Sequence, residues 1–214
     1  MTWLAKARFS FLFLPILIEA AVEGLVKALA GGSTCSYTDI SSLVPAAEAF
    51  IPKFYNAIND LQPLGAFYTS SCEKYTTPPS ITINGHVLED VSKFEFCLKT
   101  QSNGLTNRVV HEVQSLDAQV LNPKYINGAP DWVVQQVAST TGPSGPAKDR
   151  VDALSIMVQV TGLVKYGHST DREAPPPRNF SEHIVLVPNW NAVGKNAQRG
   201  GRRWLIQSEI FRAL

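Results

Sequence analysis

The chain has 214 residues, 44% apolar and 17% charged, with a formal net charge of +1. That balance describes one ordinary globular domain, or one domain with extensions. A charge this close to neutral excludes a global drive toward nucleic acid or anionic membrane, so any such contact must come from a local patch.

Three cysteines, Cys35, Cys72 and Cys97, show neither a CxxC pair nor zinc-type spacing. An odd number argues against a closed disulfide framework, and they read as reduced, mostly buried thiols. The four histidines are scattered. No metal site or cofactor is expected.

In chain order, residues 1–32 come first and differ from the rest. Lys6 and Arg8 precede an apolar run over residues 9–18, and Ala28-Leu29-Ala30 resembles a small-residue cleavage site, which is the outline of a secretory signal. Against that outline, Glu19, Glu23 and Lys27 interrupt the stretch, Pro15 sits within the run, and the run is far short of the roughly 20 apolar residues that span a bilayer. Two readings stay open: a signal or anchor, or an extension outside the fold, including a misplaced start. Residues 31–42 read as a polar linker, so the domain is expected over 43–214, with 1–42 as extension and linker.

Leu43, Ala47, Phe50, Ile51, Phe54 and Ile58 recur at steps of three and four, which predicts an amphipathic helix started by Ser41 or Ser42. Pro45 suits its first turn. Pro52 removes a hydrogen bond at a cost of about 3 kcal/mol, which predicts a kink or a restart. A short helical piece follows over 61–68. SITINGH (80–86) reads as a strand ended by the Asn84-Gly85 turn, with Ile81 and Ile83 facing inward. Val91, Phe94 and Leu98 mark a third helix. RVVHEVQSLDAQVL (108–121) is a long strand whose alternation slips, so a bulge is expected.

Residues 122–150 hold four prolines and three glycines around DWVVQQV. Trp132, Val133, Val134 and Val137 fit a short helix docking on this domain or on a partner. The run 154–166 (LSIMVQVTGLVKY) then alternates cleanly. Leu154, Ile156, Val158, Val160, Val164 and Tyr166 share one face and Ser155, Met157, Gln159, Thr161, Leu163 and Lys165 the other, with a twist or bend expected at Gly162. Pro175-Pro176-Pro177 stiffen an insertion at about 167–179. Strands follow at 180–188 and 202–212, separated by an insertion at about 189–201. Helices first and a meander after predict an α+β fold, with helices laid on one face of a curved antiparallel sheet.

Several strings carry a resemblance in their order along the chain: AEAFIPKFYNAI (47–58), ITINGH (81–86), HEVQSLDAQVL (111–121), VTGLVKYG (160–167), FSEHIVLVPN (180–189) and RRWLIQSEIFR (202–212). Together the chain resembles the nuclear transport factor 2-like family, within it the small subunit of the fungal-type mRNA export heterodimer. Residues 1–42 find no counterpart. The resemblance implies a cone-like α+β fold that pairs sheet to sheet with a related domain of the large export receptor subunit. It also implies contact with phenylalanine-glycine nucleoporin repeats and residence in the nucleus and at the nuclear pore, shuttling to the cytoplasm. A signal at residues 1–30 would instead imply a secretory or membrane-targeted chain. The family's partner-facing aspartate matches Asp117, expected to meet an arginine in a bidentate pair.

The residues themselves add to this. One helix layer covers one sheet face, so apolar residues left on the second face need a cover. Trp204, Ile206 and Ile210 are read on one face of the last strand, with Leu205 and Phe211 on the other. In 180–187, Phe180, Ile184 and Leu186 oppose Val185 and Val187. The expected partner-facing set is Asp117, Gln119, Ile184, Leu186, Trp204, Ile206 and Phe211, with the face itself left open.

Two other roles compete. The same fold class hosts isomerases and dehydratases with an acid or base in the cone, for which His111, Asp117, His183 and Tyr68 are the candidates. His111 and Asp117 share a face only if no bulge intervenes, and His183 is expected opposite Phe180 and Ile184. No base-plus-orienter set appears, and no catalytic residue is assigned. RNA contact is the third role. Lys195, Arg199, Arg202 and Arg203 form an acid-free stretch, and any binding there would be sequence-independent and salt-sensitive.

Overall fold

The stretch 154–166 has the alternation of a half-buried strand, and it lies second from one edge of the sheet. The computed structural model describes residues 37–102, 109–139, 153–167, 175–193 and 201–214. Among them, helix α1 (Tyr37–Asn59) leads through two 3-10 turns (Gly65–Phe67 and Thr69–Ser71) to strands β1 (Ser80–Ile83) and β2 (His86–Leu88). Helix α2 (Val91–Ser102), strand β3 (Val109–Asn122), helix α3 (Asp131–Ala138) and strands β4 (Ser155–Tyr166), β5 (Arg178–Pro188) and β6 (Trp204–Ala213) complete the order.

The strands form one six-stranded sheet in the order β2-β1-β6-β5-β4-β3. Every pair is antiparallel except β1 with β6. The expected meander is therefore present, with β3 as its outer strand and the β1–β2 hairpin added beside β6. Asn84 and Gly85 both take positive φ (50° and 86°), the paired left-handed geometry of a tight hairpin turn.

The expected α+β fold is what the structure shows, with α1 and α2 on one face of a curved sheet and the short α3 on the other. On that face Ile156, Val158, Val160, Val164, Phe180, Ile184, Leu186 and Ile206 are buried against Phe50, Ile51, Phe54 and Tyr55 of α1 and Phe67 and Tyr68 of the turns. Each such side chain removed from water contributes about 1.5–3 kcal/mol, so this layer supplies most of the drive to fold. Phe54 touches the rings of Phe50, Tyr55, Phe67 and Tyr68, which locks helix to turns.

Three local expectations are corrected. Helix α1 runs unbroken past Pro45 and Pro52 and already includes Tyr37, so residues 37–42 are helical rather than linker, and Pro45 lies well past the first turn. The helical piece at 61–68 is shorter than expected, a single 3-10 turn at Gly65–Phe67, with a second 3-10 turn beyond it at Thr69–Ser71. In β6 the pairing shifts between Val185 and Leu186 of β5, so Gln207 is the extra residue. That bulge reverses the alternation: Trp204 and Ile206 point with Phe211 toward the helices, and Ile210 points away.

Gly162 lies where β3, β4 and Phe180 meet. A Cβ there would stand 2.1 Å from the Glu112 carbonyl oxygen and 2.6 Å from the Phe180 ring. One obstacle is backbone of the paired strand and cannot swing aside. Gly162→Ala should therefore destabilise the protein by about 1–3 kcal/mol, the usual range for overpacking. A urea midpoint that falls at unchanged slope is the expected result.

Candidate functional site

The second face of the sheet is covered only in part. Val187 and Leu205 lie under a small cluster formed by Cys72, Tyr125, Val133, Ala153 and Trp190, with Tyr75, Ala129 and Val137 packed against it. Trp190 Nε1 donates to the Asn127 carbonyl (2.8 Å) and Tyr75 OH to the Pro188 carbonyl (2.6 Å). Helix α3, from the long 122–150 stretch, is thus an intramolecular cover for one end of this face. Burial holds the Tyr75 and Tyr125 hydroxyls above their ordinary pKa, so both stay protonated in the lining. Toward the opposite end, Lys165 pairs with Glu112 in an exposed ion pair.

Between these ends the pairing register aligns rows across four strands. Asp117, Gln159, His183 and Ile210 form one row, and Gln119, Met157, Val185 and Ser208 the next. Asp117, Gln119 and Gln159 are exposed and Met157, His183 and Val185 half-buried. Ile210 is 42% exposed, unusual for isoleucine in the middle of a sheet. Asp117 Oδ1 accepts only its neighbour's amide, from Ala118 (2.9 Å), so its outer oxygen faces solvent. Two polar rows around Met157, Val185 and Ile210 make a mixed polar and apolar surface.

The expected partner-facing residues divide. Asp117 and Gln119 lie on this open face. Ile184, Leu186 and Ile206 are fully buried under the helices and Phe211 nearly so, while Trp204 is half-buried on the same inner side. The core already holds them, so they are corrected from docking residues to core residues. Alternation divides a strand into two faces without saying which is inside, and in β6 the bulge at Gln207 hides the phase. Gln159, Met157, His183, Val185, Ser208 and Ile210 belong to the open face instead.

The inner face also carries chemistry. A register shift between Val113 and Ser115 separates His111 from Asp117, which therefore lie on opposite faces. His111 sits among the rings of Tyr55, Phe180 and Phe211. Burial lowers its pKa to about 4, so it is neutral at pH 7. Beside it, Glu182 and Glu209 are wholly buried and accept hydrogen bonds from the Tyr55 and Tyr68 hydroxyls respectively. Neither glutamate stood among the candidates read from sequence, although Glu182 keeps step with Phe180, Ile184 and Leu186. A cavity of about 40 Å³ lined by Tyr55, His111, Glu182 and Phe211 holds at most a few waters. Among the described residues no group of His, Cys, Asp and Glu could hold a metal ion.

No protein-family model matches the chain, and no curated protein matches it. Solved structures do. A chain from a Sac3N peptide bound to Mex67:Mtr2 aligns at 28% identity with a TM-score of 0.66, covering 79% of this chain and 97% of that one. A structure of Mtr2 aligns at 26% identity, TM-score 0.62, over 79% of this chain and 97% of its own. The Chaetomium thermophilum Mex67 NTF2-like domain complexed with Mtr2 aligns at 29% identity, TM-score 0.64, over 79% and 96%. The chain has the NTF2-like fold and is similar to Mtr2.

The basic stretch of this Mtr2-like chain is described only at its end. Arg202 and Arg203 are exposed, and the Arg202 guanidinium lies 3.8 Å from the centre of the Phe67 ring. Lys195 and Arg199 lie outside the described residues, as do residues 1–36 and parts of the three long insertions. Among the described residues no helix is long and apolar enough to cross a membrane.

The division between core and open face predicts unequal costs. Ile184→Ala should lose about 2–5 kcal/mol by cavity formation. Gln119→Ala should change stability by no more than about 0.5 kcal/mol. Chemical denaturation of the two variants reads both, and similar losses would put the faces the wrong way round.

Proposed function

We propose that this chain is the non-catalytic small subunit of an mRNA export receptor, docking its open sheet face on the NTF2-like domain of a Mex67-like large subunit. The observation that carries this reading is the row Asp117, Gln159, His183 and Ile210, which no other described segment covers, in a protein similar to Mtr2. Pairing would bury Met157, Val185 and Ile210 and give Asp117 a cation, and it would stabilise the large subunit's domain in turn. Contribution to nucleoporin-repeat and messenger ribonucleoprotein binding, and residence at the nuclear pore, follow from that role.

An enzyme of the isomerase or dehydratase type needs a substrate-sized hollow. Here Tyr55, His111, Phe180 and Phe211 fill the cone and leave about 40 Å³. Of the acid or base candidates, Asp117 and His183 face outward, His111 is neutral, and Tyr68 is committed to Glu209. That arrangement supports binding over catalysis.

The test is coexpression with the NTF2-like domain of a Mex67-type large subunit. Asp117→Arg should weaken the heterodimer at least tenfold, because truncating one side of a desolvated charge pair costs about 2–5 kcal/mol and reversal adds repulsion. The variant's own unfolding midpoint should not move. Copurification at the wild-type level would remove Asp117 from the interface.

A further inference from the structure

Two glutamates lie in the apolar core, on neighbouring strands of the same sheet face. Glu182 is paired across from Phe211 and Glu209 from Ile184, which makes the two carboxyls diagonal neighbours. They are 1% and 0% exposed. Each spends its Oε2 on a tyrosine from the helical layer: Tyr55 of α1 on Glu182, and Tyr68, between the two 3-10 turns, on Glu209. Both Oε1 atoms are buried with no donor while the carboxyls are ionised. A proton on one carboxyl would supply the missing donor, as a hydrogen bond between Glu209 and Glu182.

We propose that Glu182 and Glu209 share one proton in a buried carboxyl–carboxylate pair, and that the chain Tyr55–Glu182–Glu209–Tyr68 is a pH-sensitive latch fastening the helical layer to β5 and β6. This goes beyond the docking role and does not depend on it.

Two bare carboxylates this dry would repel with a single tyrosine hydroxyl each to offset the loss of hydration, so one must be neutral. Among the described residues, the groups around the pair supply no cation. They are Tyr55 from α1, Tyr68 from the turns, neutral His111 from β3, and the rings of Phe180 and Phe211. Burial, with the Glu182 charge beside it, holds Glu209 well above its ordinary value of 4.5. Burial likewise raises Glu182. Burial and the facing carboxylates keep both tyrosines protonated.

Above pH 4.5 the folded chain keeps a proton that the unfolded chain has released. The latch contributes fully below that value, and its contribution is lost as pH rises toward the folded-state pKa. The latch residues flank the docking row: His183 follows Glu182, and Ser208 and Ile210 bracket Glu209. Loss of the proton therefore loosens the strands that present that row.

The full chain is unfolded in urea between pH 5 and 9 as wild type and as Glu209→Gln, whose amide imitates the protonated carboxyl. His111 titrates alike in both and cancels. The unfolding constant of wild type should rise relative to the variant by up to about tenfold per pH unit, one proton's worth, until the pair ionises. Infrared spectroscopy of wild type at pH 7 needs no variant to fold. Of the chain's 18 acidic residues, the pair alone should give a protonated-carboxyl C=O band. Parallel stability profiles, or no such band at pH 7, would overturn the proposal. Heterodimer yield at pH 7 reads the docking role separately, since the shared proton is in place there.

Discussion

Everything in this fold depends on which side of one twisted sheet the helices occupy. Helix α1 and the two turns bury Ile156, Val158, Val160, Ile184, Leu186 and Ile206 on one side. With about 1.5–3 kcal/mol for each buried side chain, the single apolar layer fixes the strand phase, the bulge positions and the direction of every polar side chain. A slip of one residue would exchange the whole set.

The other side follows from that choice. Among the described residues, helix α3 and its flanking turns cover Val187 and Leu205 and reach the edge of Val185, leaving the middle of the face open. The exposed middle is not the large greasy surface that counting apolar residues in β5 and β6 suggests, because most of those residues are buried. What remains is a narrow apolar strip, Met157, Val185 and Ile210, within polar rows. Such a mixed surface suits a folded protein that meets its partner after folding, since it costs little to expose and gains register from its polar pairs. The inner face meanwhile tolerates two acids because tyrosines from the opposite layer reach them.

Much of the fold was legible in the residues. The period-two pattern of 154–166 marks β4 almost to its ends, Asn84-Gly85 marks a hairpin, and the slip in 108–121 marks the bulge that sets His111 and Asp117 on opposite faces. The site was legible only in half. Asp117 and Gln119 emerged on the open face, whereas Ile184, Leu186, Ile206 and Phe211 went to the core. Both faces of β5 carry β-branched residues, so alternation alone cannot choose between them. The extra residue at Gln207 reverses β6 partway and leaves no compositional mark. The same bulge hid Glu209, which reads as a solvated acid until its phase is known.

The central claim, that the middle of the outer sheet face is a docking surface, is tested most directly by methyl NMR with a soluble paramagnetic agent. The full chain is studied alone and with the NTF2-like domain of a Mex67-type large subunit. Alone, the Met157, Val185 and Ile210 methyls should relax strongly and those of Ile184 and Leu186 weakly. In a one-to-one complex the first three should become protected. If they stay accessible to the agent in that complex, the docking surface lies elsewhere.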